Sequence, residues 1–308
     1  MTRAVRTIAV PVAGGELHVG IWDAPAADAP TILAIHGVTS SHLAWEFLAE
    51  ALPDVRVVAP DLRGRGRSNE LVGPAGMVSH ADDLAAVSAE LGLGPTLVVA
   101  HSMGAFVAVT FAARHPELVS RLIMVDGGLP LDAPAGLTPD ELVAAILGPT
   151  AARLNLRFDD VDAYLDFWRD HPAFAEDWSP ELERYLAYDL VPASDDEGRL
   201  RPATSYATTV EDTIDMNTTT TIVDSLAALR RPAVLITVPR GLQNEDPGLY
   251  AESYLPGVLA AHPGIPHERW PGLNHYTVVL SSAGAHRLAG VVREQLGLVQ
   301  ADLEARPA

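Results

Sequence analysis

Two stretches near the start of the chain alternate apolar and polar positions, Arg6–Val12 and Glu16–Trp22, on either side of the turn-like Ala13-Gly14-Gly15. Alternation with period two is the mark of a half-buried strand, so the pair predicts an antiparallel hairpin. The pattern then changes. Thr31–His36, Arg56–Pro60, Thr96–Ala100, Arg121–Val125 and Ala233–Val238 are short, nearly continuous apolar runs, as expected of strands covered on both faces. Between and after them the spacing predicts helices over Ser41–Ala51, Ser79–Leu91, Met103–Arg114, Pro247–Ala261 and Ala283–Leu296. Strands alternating with helices imply right-handed crossovers and a mostly parallel sheet with helices on both faces, an α/β class whose sites gather at the carboxyl ends of the strands.

One stretch breaks this rhythm. From about Leu129 to Asp224 the residues read as helices (Pro139–Leu147, Val161–Arg169, Pro180–Leu190) with no strand for the central sheet. The sheet pattern resumes at Ala233, so the expectation is a core made of residues 1–128 and 225–300, with residues 129–224 inserted between two strands as a helical lid. Such an insertion supplies a pocket wall. It holds Tyr164, Phe167, Trp168, Phe174, Trp178 and Tyr185; most serve the lid's own core, and Trp168 and Trp178 are the candidates to face a substrate.

The run Thr96–Ala105 joins a buried strand to a helix rich in small residues through Ala100-His101-Ser102-Met103-Gly104. A serine on so sharp a turn is exposed at the top of the sheet, provided its neighbours two residues away on both sides are small. Gly104 meets this requirement, and Ala100 stands where the G-x-S-x-G pattern has its first glycine. Ser102 is therefore the candidate nucleophile. The helix beginning at Met103 directs free N–H groups at the same point, which makes the Met103 amide one half of an oxyanion hole.

The runs HGVTSSHLAW (from His36), PDLRGRGRS (Pro60–Ser68) and AHSMG (from Ala100) resemble the α/β-hydrolase superfamily in order and approximate spacing, and the likeness extends over essentially the whole chain. The resemblance implies an α/β-hydrolase fold. It also implies that Val38, after His36-Gly37, gives the second oxyanion donor, with Gly37 against the substrate and His36 holding the loop by hydrogen bonds. Asp61, Arg63 and Gly64 would shape the next loop. Each such donor is worth about 3 kcal/mol to the transition state.

In this fold the members of the triad follow in the order serine, acid, histidine. Among the 11 histidines, His275 is the best-placed base, because it follows the strand-like His267–Trp270 and precedes the last helix. The acid has two candidates. Most such hydrolases carry it just after the strand that follows the lid, where the first carboxylates here are Glu245 and Asp246. Others, among them haloalkane dehalogenases and a fungal lactonase, carry it at the end of the strand before the lid, where Asp126 stands. A strand end is rigid and points into the site, which favours Asp126, with Asp246 as the alternative. The acid fixes the imidazole tautomer and stabilises the imidazolium.

Composition removes other chemistries. The 308 residues contain no cysteine, so thiolate catalysis and disulfides are excluded. Every one of the 21 basic residues is arginine, which excludes Schiff-base and P-loop lysines. A net charge of −19 repels nucleic acid and anionic membranes and otherwise serves solubility. The first fifteen residues lack an apolar run of signal-peptide length, so a soluble cytoplasmic protein is expected. Only residues 301–308 read as disordered. The expected function is hydrolysis of a small-molecule carboxylic ester or lactone with no metal or organic cofactor; homo-oligomerisation stays open. Amide or carbon–carbon hydrolysis, acyl transfer, cofactor-free perhydrolysis, or ligand binding with little turnover are the alternatives on the same residues.

Overall fold

A computed structural model describes residues 3–134 and 136–304. Six strands precede the insertion: β1 (Arg6–Val12), β2 (Gly15–Trp22), β3 (Thr31–Ile35), β4 (Arg56–Pro60), β5 (Thr96–His101) and β6 (Val119–Val125). The short β7 (Leu190–Pro192) and β8 (Leu200–Pro202) form a separate antiparallel pair within the insertion, and β9 (Ala233–Thr237) and β10 (His267–Arg269) return to the main sheet. That sheet has the order β1-β2-β4-β3-β5-β6-β9-β10 and is parallel from β4 onward, with the hairpin antiparallel at its edge. The chain passes from β3 to β4 on one side and then back across to β5 on the other. This reversal opens a crevice between the ends of β3 and β5.

The apolar runs are continuous because both faces of each central strand are covered. Ile32, Ala34, Leu97, Val99, Ile123 and Val125 face one core, and Leu33, Ile35, Val98, Ala100, Leu122 and Met124 face the other. Helices α1 (Glu46–Ala51) and α11 (Ser282–Glu304) cover the first face, while α2 (Met77–Glu90), α3 (Met103–Arg114), α9 (Thr221–Ala228) and α10 (Leu255–Ala261) cover the second. The insertion contributes α4 (Pro139–Leu147), α5 (Pro149–Arg153), α6 (Val161–Arg169), α7 (Pro180–Tyr188) and α8 (Tyr206–Thr218).

Several boundaries differ from the sequence expectation, each for a tertiary reason. The helix expected over 247–261 begins only at Leu255. The Gly248 N–H donates to the Pro239 carbonyl (2.7 Å), and the buried Tyr250 hydroxyl bridges the N–H and carbonyl of Leu129, which holds this stretch in a non-helical course. A boundary at 224 would cut through α9, whose Ile222 and Leu226 pack into the same core as α3. The last helix runs on to Glu304, with Arg121 donating to Asp302 (2.9 Å); within 301–308, residues 305–308 lie outside the described residues.

Helix α2 starts at Met77, two residues before its apolar pattern does, because its caps come from elsewhere. Glu211, Asp212 and Asp215 of α8 accept the N–H groups of Ala75, Gly76 and Met77 at 2.9, 2.7 and 2.7 Å. These are N–H groups that a helix start leaves without partners and that carry the positive end of its dipole. Asp212 also pairs with Arg65 Nη1 (2.5 Å) and His80 Nε2 (3.0 Å), all three side chains fully buried. Asp212→Ala should therefore lower the free energy of unfolding in urea by about 3–5 kcal/mol, since it strands the Arg65 charge in the interior. A loss below about 1 kcal/mol would refute this account of how α8 is held.

Candidate active site

Ser102 directly follows β5 and caps α3 with φ 54° and ψ −126°. An L-residue reaches that region only under constraint, at a cost of order 1–3 kcal/mol. Its N–H donates to Val125 O at 2.9 Å, which extends the β5–β6 ladder into the turn. Gly104 is essential to the approach of helix and sheet: a Cβ there would lie 2.3 Å from Ile35 O and 2.5 Å from His36 O. Ala100 is fully buried in the core beneath.

The Ser102 hydroxyl donates to His275 Nε2 at 3.1 Å, and the ring's Nδ1–H donates to Asp126 Oδ2 at 2.7 Å. The structure thus brings Ser102, His275 and Asp126 into one line. Asp126 sits just past β6 with φ 47°, its N–H donating to Ile236 O (2.7 Å) and its Oδ1 accepting from the Val238 N–H (3.3 Å). Asp246 does not join them. It is exposed in the loop after β9, because the turn from Gly241 to Glu245 closes on itself through the Gly241 N–H to Glu245 O bond (2.8 Å) and faces Asp246 outward.

His275 is held from three directions. Its N–H donates to Arg240 O (3.0 Å), its carbonyl accepts from His101 Nε2–H (2.8 Å), and the two imidazoles lie with centroids 4.7 Å apart. Burial first, and the adjacent His275 ring second, push the His101 imidazole well below its ordinary pKa, so it stays neutral with its proton on Nε2. Asn274 shapes the turn: its Oδ1 accepts from Tyr276 N (3.0 Å) and Thr277 N (2.9 Å), and its Nδ2 donates to Ala173 O of the insertion (2.9 Å).

On the opposite side, His36 accepts the Leu62 N–H at Nε2 (2.9 Å) and donates from Nδ1 to Gly37 O (2.7 Å), with burial lowering its pKa to about 4. Gly37 abuts Ser102, since a Cβ there would fall 3.1 Å from Ser102 Cβ. No acceptor among the described residues takes the Val38 N–H, while Arg65 Nε holds the Val38 carbonyl at 2.7 Å. Met103, as the first residue of α3, has no intrahelical acceptor for its own N–H.

The loop after β4 turns on Asp61. Its carboxylate accepts from His42 N (2.7 Å), His42 Nδ1 (2.8 Å), Arg67 N (2.8 Å) and Tyr188 OH (2.7 Å). Burial alone would raise this carboxyl, but the His42 ring and these donors outweigh it and keep it well below the usual range. His18, His42 and Asp61 are the one trio of metal-ligand type among the described residues, yet four donors already fill the carboxylate's lone pairs. Arg63 grips Asp83 through two bonds (3.0 and 2.8 Å).

The cleft over Ser102 is lined by Gly37, Val38, Tyr185, Leu242, Tyr276 and Leu280, among others. Trp178, a candidate from sequence, lies elsewhere: its Nε1–H donates to Glu183 (2.8 Å) and Arg169 stacks on its ring, so it braces α6 against α7. Trp168 lines a second chamber adjoining the cleft. Tyr185 and Tyr276 border both spaces, a role that the sequence signals only by Tyr276 standing next to the candidate base and Tyr185 lying among the lid aromatics.

The family model for the alpha/beta hydrolase fold matches residues 30–236, two thirds of the chain. The chain belongs to the alpha/beta hydrolase family. Lipase LipV of Mycobacterium tuberculosis is 40% identical over 116 residues, 38% of this chain and 43% of that protein. The matches to this and the next relatives thus span less than half of those proteins' lengths. A 2-(acetamidomethylene)succinate hydrolase of Mesorhizobium japonicum is 28% identical over 254 residues, 80% of this chain and 82% of that one. A crystal structure of E-2-(acetamidomethylene)succinate hydrolase shares the hydrolase fold at TM-score 0.75 and 21% identity, covering 92% of this chain and 97% of that one. No helix among the described residues is long and apolar enough to cross a membrane.

Three histidines of this alpha/beta hydrolase, His36, His101 and His171, are neutral in the folded state. Burial lowers His36 and His171 to about 4, and His101 falls well below the ordinary value. A folded pKa beneath the unfolded one means that stability is fully present above about 6.5 and declines as pH falls towards the folded value, because the unfolded chain takes up protons first. Urea unfolding between pH 7 and pH 4.5 should show stability dropping by about 1.4 kcal/mol per pH unit for each of the fully buried rings, His36 and His101, and by less for the half-buried His171. A flat profile over that interval would show these rings to be protonated in the fold.

Proposed function

We propose that this protein is a serine hydrolase that cleaves a carboxylic ester or lactone through an acyl-enzyme on Ser102. The observation that carries the reading is the unbroken hydrogen-bonded line from Ser102 Oγ through His275 to Asp126 at the floor of a cleft. In the first step Oγ attacks the substrate carbonyl while its proton passes to His275 Nε2. The oxyanion is received by the Val38 and Met103 N–H groups, and the imidazolium returns its proton to the departing alkoxide. Water then gives a proton to Nε2 and attacks the acyl carbon, releasing the acid and restoring Ser102. Asp126 keeps the ring in the tautomer with its proton on Nδ1 throughout.

The names of relatives support hydrolysis in general: one is a lipase, and the relative matched along most of the chain is a hydrolase of an acetamido compound. That second name favours amide cleavage at the same serine as the other reading. A paired panel of activated esters, lactones and acetamido acids separates the two.

Wild-type protein should label stoichiometrically with a fluorophosphonate and hydrolyse an activated neutral ester, and Ser102→Ala should lose both. Folded protein that neither labels nor turns over would point to a ligand-binding role. Asp126→Asn should lower kcat by about 10⁴, because the amide presents the wrong partner to Nδ1–H. Asp246→Asn should stay within about threefold of wild type, and the reverse ranking would move the acid to the later loop.

A further inference from the structure

Beyond the Ser102 cleft lies a narrow inner chamber that shares Thr39, Ser40, Tyr185 and Tyr276 with it. Its walls carry a set of buried polar atoms that the fold itself leaves without partners. Arg153 Nε, Trp168 Nε1 and Ser41 Oγ are all buried without a well-formed hydrogen bond among the described residues, Trp168 Nε1 having only the Tyr164 hydroxyl beside it, and all three residues line this one space. An unpaired buried donor costs about 1–3 kcal/mol, more when charged, so three around one chamber call for an acceptor that arrives from outside.

The donor set narrows what that acceptor is. Arg153 is 1% exposed, and its Nη1 is taken by Asp189 and by the Tyr164 hydroxyl oxygen. Tyr164 in turn donates to the same Asp189 oxygen, Oδ2, at 2.5 Å, and this carboxylate forms one wall of the chamber. The other edge of the guanidinium, Nε with Nη2, makes no hydrogen bond among the described residues. This is the edge whose parallel N–H pair matches the two oxygens of a carboxylate. Trp168 Nε1 is a donor only, and its ring lies against the guanidinium with Cζ 5.0 Å from the centroid.

We infer that the Arg153 chamber is a carboxylate-recognition subsite, and that the natural substrate is an ester or lactone carrying a free carboxylate on the arm that passes Tyr276. This deepens the serine-hydrolase reading and rests on it. It gives the insertion a definite task. Helix α5 brings Arg153 and α6 brings Trp168, while the loop after β3 brings Ser41, so the subsite is complete only when insertion and core are together.

The test compares two activated esters of similar length, the p-nitrophenyl monoester of glutaric acid and p-nitrophenyl pentanoate, at low ionic strength. Wild-type kcat/KM should favour the anionic ester by tenfold or more. Arg153→Met should erase that ratio, and Trp168→Phe, which deletes only one N–H from a retained aromatic, should cut it at least threefold, mostly through KM. A wild-type preference for the neutral ester, or an unaltered ratio in Trp168→Phe, overturns the subsite; the second variant decides the matter if Arg153→Met does not fold. Calorimetric binding of monomethyl glutarate to Ser102→Ala separates the two layers of the proposal. Binding weakened tenfold by adding Trp168→Phe upholds the subsite even if no ester is turned over, in which case the hydrolase reading alone falls. No binding overturns the subsite.

Discussion

A serine held at φ 54° stays there only because everything around it leaves no alternative. The turn is fixed from below by its bond to Val125 O, and from the helix side by the approach of Gly104 to the carbonyls of Ile35 and His36. From the facing loop, Gly37 fits against Ser102 with no room for a side chain. Strain of this kind is affordable where packing is densest. The site therefore lies at the reversal of strand order, where β3 and β5 are neighbours and both cores press on the sheet. Moving the serine off that bend would aim its oxygen away from His275.

Charges that look structural prove to be the fastenings between insertion and core. Arg65 reaches the Val38 carbonyl with one nitrogen and Asp212 of α8 with another, so the loop bearing a candidate oxyanion donor and the insertion share one buried guanidinium. Asp61 does the same through Tyr188 of α7 and His42. Buried ion pairs contribute little net stability compared with apolar packing, but they tolerate few alternative arrangements. Here they set the position of the insertion relative to the loops after β3 and β4, which apolar contacts alone would specify less sharply.

Local chemistry was legible from the sequence; long-range partnership was not. The elbow could be read because its requirements, small residues around a serine between strand and helix, fall within ten consecutive positions. The strands could be read because burial on both faces leaves a continuous apolar run. The N-terminal turn of α2 could not be read, since its caps are carboxylates more than 130 residues away. Helical periodicity shows that α6 has an apolar stripe, yet it does not say that Trp168 borders a chamber, and Trp178, outside α6, looks equally eligible until Glu183 and Arg169 claim it. Arg153 is hidden for a related reason: an arginine at the end of a short helix reads as surface, and only the unpaired atom in a closed space marks it.

With Asp126 as the proposed acid, the later loop is free for another task. A carboxylate at the end of β6 is aimed by the ladder itself, through its own N–H to Ile236 O and the Val238 N–H to its side chain. The stretch after β9 is then relieved of carrying an acid and serves as a frame. The Arg240 carbonyl fixes His275, Leu242 lines the cleft, and Gln243 meets His171 of the insertion at 3.0 Å. One loop thus couples His275 to the insertion through backbone and side-chain contacts. A change in the seating of the insertion reaches His275 by this route, through backbone position rather than through charge.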